Sequence, residues 1–246
     1  VPSRFIQRNE HNLGGDVAVQ GGMGGGASGG NVDIVSGSGS SLHSGMVRVG
    51  SADAGLAPSS GFVVLSTGLA SAGDSGGVNI TTGMASSGRG GSIVLSVGLG
   101  DTAATRGGDV LVVGGESSSV DGGDVSLFGG QGADNGGRVS IVGGGGSTSL
   151  GGSVRVSSGG GSQVTSGDVL IGSAVSGSSH GSGAVVLSSG LSLGGDSGGM
   201  SILTSDATGG QSGSMVLSVG SGTVDESGSV RVSAGSTSGA NGGLLS

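Results

Sequence analysis

The sequence has no cysteine, no tryptophan and no tyrosine, and its 246 residues include two prolines and three phenylalanines. The absence of cysteine excludes a disulfide framework and a thiolate metal site. With so few aromatic residues, the chain cannot build the core of large side chains that a globular domain of this length normally has. No apolar run reaches the ~18 residues that cross a bilayer, so we expect no membrane insertion.

Charge is also scarce, at 10% of the chain, and the net charge is −8 with only eight basic residues. These basic residues do not cluster, so we expect no nucleic-acid partner. The three histidines, His11, His43 and His180, are too widely spaced to converge on a metal. No metal site, cofactor or catalytic residue is therefore predicted, although Asp109 and Asp124 could attract Ca²⁺ weakly.

What the sequence has in abundance is glycine, with 65 residues, and serine. Such a composition suggests disorder, but an internal repeat contradicts that first interpretation. The first apolar residue after each Gly-rich turn recurs with a period of about 15 residues. These residues are Val17, Val32, Val47, Val63, Val78, Ile93, Val110, Val125, Val139, Val154, Val169, Val185, Met200, Met215 and Val230.

Within each repeat, apolar and small or polar residues alternate, as in "GGRVSIVGG" (Gly136 to Gly144). This period of two predicts a short strand with one face buried. Because one such strand cannot bury its own face, neighbouring repeats are expected to stack. The prediction is an all-β protein: a parallel β-helix-like β-solenoid of about 15–16 coils, with a ~15-residue repeat and a narrow Val/Ile/Leu core. Residues 14–246 form this solenoid, and residues 1–13 form an N-terminal arm or cap.

Stacking of identical positions makes neighbours of residues one repeat apart, so like charges should be compensated. Asp33 is followed one repeat later by Arg48, which favours the stacked arrangement. Glycines close the predicted strands at regular intervals, at Gly68, Gly83, Gly98, Gly115 and Gly130. These glycines suit a positive φ or a close backbone approach.

The pentapeptide GDSGG occurs twice, with Asp74 and Ser75 in one copy and Asp196 and Ser197 in the other. It matches the nucleophile loop of chymotrypsin-like proteases, but both copies occupy the same turn of the repeat. A serine protease also needs a histidine base oriented by a carboxylate, and no histidine here lies in such a context. We interpret the motif as a product of the repeat and predict that the protein is not an enzyme.

Two further features indicate contacts outside the chain. "NIT" (Asn79 to Thr81) is an N-glycosylation sequon on the outward side of a predicted strand, so Asn79 is a candidate glycan site. Val113, Phe128 and Val142 share one outward position on three consecutive repeats, and Phe62 is a further outward apolar residue. A contiguous apolar stripe suggests lateral contact with another chain.

The phrases "GGDVSLFGG", "GGSVRVSSGGGS" and "GSVRVSAGSTSG" resemble the Gly/Ser-rich repeat proteins of stramenopile algae and oomycetes. The resemblance covers nearly all of the chain from Gly14 onward and rests on the style of the repeat. It implies an extracellular or cell-surface structural role of the flagellar-hair type.

The sequence therefore predicts a structural protein, a rod-like protomer or shaft segment of an extracellular filament. Its expected partners are further copies of itself, head-to-tail and laterally, or other filament subunits, with possible glycans. The C-terminal repeat "NGGLLS" shows no cap, so we expect either that the polypeptide continues or that the open end receives another subunit in head-to-tail contact. The alternatives are the stalk of an adhesin or fibre-type binding protein and, less favoured, an ice-binding solenoid. Ice binding would require flat ranks of threonine, which Thr81, Thr82, Thr102 and Thr105 do not form.

Overall fold

The computed structural model describes residues 15–55, 59–100, 106–177, 180–223, 227–239 and 241–245. These residues contain no helix and no β-strand; they form extended segments joined by bends. The prediction of an all-β solenoid is therefore wrong for the part of the chain that the structure describes. The predicted arm or cap at residues 1–13, together with His11, Thr102 and Thr105, lies outside the described residues.

The physical reason for this difference lies in the backbone hydrogen bonds. A sheet requires each extended segment to bond to a neighbour ~4.8 Å away. The backbone bonds of the described residues instead close short turns within single repeats, over seven or eight residues in seven repeats and over three at His180. Among the described residues, no neighbouring segment pairs with the segments that carry the alternating apolar residues.

The bends recur with the sequence repeat. They lie at residues 25–27, 40–42, 71–73, 86–88, 118–120, 133–135, 147–149, 162–164, 193–195 and 208–210. The residues that precede each bend lie close to the residues that follow it. Each bend therefore belongs to a loop with a narrow base, as in an Ω-loop. We call this base the neck, the residues inside it the loop, and the extended segment between two necks the limb.

We call the chain that enters the loop the incoming side of the neck and the chain that leaves the loop the outgoing side. In fifteen repeats a glycine lies on the outgoing side. In each repeat, a methyl group added to this glycine would lie 2.8–3.8 Å from the residue on the incoming side or from the one after it. The outgoing glycines are Gly30, Gly45, Gly61, Gly76, Gly91, Gly108, Gly123, Gly137, Gly152, Gly167, Gly183, Gly198, Gly213, Gly228 and Gly243. The first apolar residue of the limb follows two positions later, as Val154 follows Gly152.

Loops vary in length and limbs do not. The outgoing glycine lies eight residues after its incoming partner at Gly129–Gly137 and eleven after it at Val97–Gly108. The next incoming residue always follows the outgoing glycine by six positions, as Gly143 follows Gly137. The small variation in the length of the repeat therefore lies entirely in the loops.

Seven of the necks are closed by a backbone hydrogen bond in which the outgoing glycine N–H donates to a glycine carbonyl, at N···O distances of 2.7–3.1 Å. The pairs are Gly30–Gly22, Gly45–Gly37, Gly123–Gly115, Gly137–Gly130, Gly152–Gly144, Gly167–Gly159 and Gly243–Gly235. In four repeats the incoming residue is also glycine, and a methyl group there would overlap the outgoing carbonyl; these are Gly21, Gly114, Gly129 and Gly143.

The glycines that the sequence singled out behave in two ways. The carbonyls of Gly115 and Gly130 accept the hydrogen bonds that close their necks, although a methyl group added at either glycine would meet open space. Gly68, Gly83 and Gly98 have open space around them and normal φ. Positive φ occurs instead at Gly26 and Gly73, which lie in bends, and at Gly55, which lies in a turn.

The described residues have no core. None of them is buried, and the accessible surface of the chain is 24587 Å². A compact protein of 22.4 kDa exposes about 9,400 Å² and its unfolded chain about 32,500 Å². The predicted column of Val, Ile and Leu is therefore not buried within the chain.

The charge pairing expected from stacking is also absent from the described residues. Asp33 and Arg48 form no ion pair, whereas Arg106 and Asp109 approach to 3.9 Å within one exposed segment. The chain divides into two units, Val1–Val125 and Ser126–Ser246, and both contain the same limbs, necks and loops. No helix among the described residues has the length and apolar character needed to cross a membrane.

Candidate functional site

Exposed apolar side chains are the main chemical feature of this chain, and their exposure follows the repeat. The first apolar residue of each limb is 49–66% exposed, and the second is 61–79% exposed. The apolar residues of the loops are more exposed still, at 79–98%. The first and second apolar positions are two residues apart and share one side of the limb; the apolar residues between them, such as Leu111 at 85%, are exposed as well, so neither side is covered.

The four candidate contact residues are all exposed. Phe62 follows an outgoing glycine, Gly61, whereas Val113, Phe128 and Val142 each precede an incoming glycine. The continuous stripe predicted for Val113, Phe128 and Val142 depended on stacked strands, which the described residues lack. The arrangement in the structure is more local, because each of these three residues directly precedes a glycine neck of its own repeat.

A neck with glycine on both sides presents bare backbone. At Phe128 the neck consists of Gly129 and Gly130 on the incoming side and Gly136 and Gly137 on the outgoing side. Val113 and Val142 precede necks of the same composition. Another chain can approach such backbone closely, because no side chain stands in the way.

Asn79 lies in the limb between Val78 and Ile80, and its side chain is exposed. This exposure leaves the side-chain amide accessible for the attachment of an oligosaccharide. The position is therefore sterically compatible with the glycan that the sequon predicts.

The two GDSGG segments occupy equivalent places in the structure. Asp74 directly follows the bend at residues 71–73, and Asp196 directly follows the bend at residues 193–195. Their glycines serve local geometry: Gly73 has a φ of 109°, and the Gly195 N–H donates to the Ser192 hydroxyl at 3.1 Å. The pentapeptide is thus part of the repeated turn.

The part of the chain that the structure describes encloses no cavity. Within the same residues, no three side chains of His, Asp or Glu come together as a metal site would require. Asp109, a candidate for weak Ca²⁺ attraction, lies near Arg106, whose positive charge opposes a bound cation.

Comparison with protein families, with curated proteins and with solved structures found no match to this chain. The resemblance to stramenopile repeat proteins therefore stays a hypothesis based on the style of the repeat.

The glycine necks are the feature that reading the sequence missed. The signal was present, because a glycine stands two residues before the first apolar residue of every limb from Val17 to Val230. The sequence interpretation assigned these glycines to turns between stacked strands. Their partner, however, is a residue of the same repeat, eight to eleven positions earlier.

Proposed function

We propose that this chain is a structural protein, a protomer or shaft segment of an extracellular filament, which covers its apolar limbs with further copies of itself. The observation that carries the proposal is the exposure of the apolar limbs: the described residues have no core, yet every limb repeats two apolar positions. Regular apolar positions that remain exposed in the single chain are typical of an interaction surface.

The size of the exposed surface supports assembly over a solitary chain. The chain exposes about 15,000 Å² more than a compact protein of its mass. Removal of apolar surface from water stabilises by about 25 cal/mol per Å². A standard interface buries only about 800 Å² per partner, so each copy has room for several neighbours.

The extracellular setting is supported by the exposed sequon at Asn79 and by the resemblance to surface repeat proteins. It gains no support from the lack of cysteine, which is compatible with either compartment. The same features also fit the stalk of an adhesin, in which the limbs would contact a small, fixed number of partner chains.

Sedimentation of the full chain over a range of concentrations, with electron microscopy of the same samples, tests this proposal. A filament protomer gives a continuous growth in mass with concentration and fibres of open length. A stalk gives one discrete oligomer that no longer grows. A chain that stays monomeric up to millimolar concentration would refute self-assembly.

A matched variant connects assembly to the limbs. Replacing Val154 and Val156 by serine removes both apolar positions of one limb and should raise the concentration needed for assembly. Replacing Ser157 by alanine in the same limb leaves both apolar positions in place and serves as the control. Equal behaviour of the two variants would show that the limbs do not carry the contact.

A further inference from the structure

Within the second unit, residues 126–168 combine three features that occur together nowhere else among its described residues. Three consecutive necks are closed by hydrogen bonds, at Gly130–Gly137, Gly144–Gly152 and Gly159–Gly167. Phe128 and Val142 stand exposed beside the first two. The third feature is charge: the segment carries two aspartates and two arginines and is neutral, whereas the chain as a whole carries −8.

One pair of opposite charges is placed symmetrically, whereas the other two charges of the segment, Asp134 and Arg155, have no counterpart in this arrangement. Arg138 directly follows the outgoing glycine of the first of these necks, and Asp168 directly follows that of the third. Ser153 holds the same position after the central neck, midway between the two along the chain. Arg138 and Asp168 are exposed, and among the described residues neither forms an ion pair within the chain.

We propose that residues 126–168 are a docking surface for a second copy of this chain, in a two-fold arrangement about the central neck. A two-fold contact makes residue i touch residue j while j touches i. Centred near Ser153, it pairs Arg138 of each copy with Asp168 of the other. Because this segment is neutral, its contact with a second copy carries no net charge repulsion.

The central neck explains how two copies approach. Gly143, Gly144, Gly151 and Gly152 leave its backbone without side chains. A methyl group at Gly144 would meet no atom of its own chain within 4 Å. Substitution of Gly144 by alanine therefore preserves the neck and changes only the surface that a partner would touch. Val142 supplies the apolar contact beside it.

This inference rests on the proposed self-assembly, and the test separates the two. The association constant of the full chain is measured by sedimentation equilibrium for the wild type, Arg138→Asp, Asp168→Arg and the double variant. Each single reversal replaces attraction by repulsion at two places and should weaken association about tenfold or more. The double variant restores opposite charges and should recover the wild-type constant.

Gly144→Ala should also weaken association, and Gly190→Ala is its matched control. Gly190 has the same position in a repeat outside the segment, and a methyl group there also meets open space. If the wild type associates while the charge variants and Gly144→Ala behave like it, the docking surface is wrong and self-assembly stands. If the wild type does not associate at all, both proposals fall.

Discussion

The lack of a core predicts that the dilute single chain has no cooperative thermal transition. Unfolding a compact protein of 22.4 kDa exposes about 23,000 Å², the difference between its folded and unfolded surfaces. This chain already exposes 24587 Å², so at most about 8,000 Å² remains to be exposed. Heating can therefore expose only about one third of the usual surface, and among the described residues none of it comes from buried side chains.

Differential scanning calorimetry at concentrations below assembly measures this directly. A globular protein of 246 residues absorbs about 170 kcal/mol near 60 °C. We expect a sloping baseline with no peak, and in urea a change with about one third of the usual dependence on denaturant. A sharp peak of the globular size from the monomer would refute the coreless chain. A peak that appears only on concentration, and moves upward with it, would show that assembly supplies the buried surface.

Two further predictions concern the candidate contact residues. Phe128→Ser should weaken self-association about ten- to a hundredfold, since burying a phenylalanine is worth about 1.5–3 kcal/mol; Phe62→Ser should weaken it less, because Phe62 stands beside no double-glycine neck. Equal losses in sedimentation would mean that general apolar character is sufficient. Asn79→Gln, expressed in a eukaryotic secretory pathway, should lower the mass by one N-linked glycan. An unchanged mass would remove Asn79 as a glycan site.

The register of the repeat could be read from the sequence, and its three-dimensional path could not. Alternation around Val154 and Val156 requires only an extended backbone, and an extended segment is compatible with a strand, paired or not. Pairing depends on a second segment at the correct distance, which periodicity alone does not locate. The sequence interpretation assumed that the next repeat supplies it, and the described residues have no such pair.

The apolar residues of the candidate contact surface could be named from the sequence, but the role of the glycines next to them could not. Phe128 and Val142 were identified by a shared position, and the structure adds the bare glycines beside each of them. Gly137 and Gly152 read as ordinary turn residues, because glycine serves turns and close approaches equally well. The hydrogen bond from the Gly152 N–H to the Gly144 carbonyl shows that these two glycines close the base of the loop.

The constant limb and the variable loop make this chain tolerant of insertion at defined places. The neck is closed by main-chain atoms alone, so the sequence between Gly144 and Gly152 is free to lengthen as long as the two glycines still meet. Closing a longer loop costs only about 0.6 kcal/mol for each doubling of its length. Peptides displayed in these loops would then stand at regular intervals along the chain, one per repeat, without changing the spacing of the limbs.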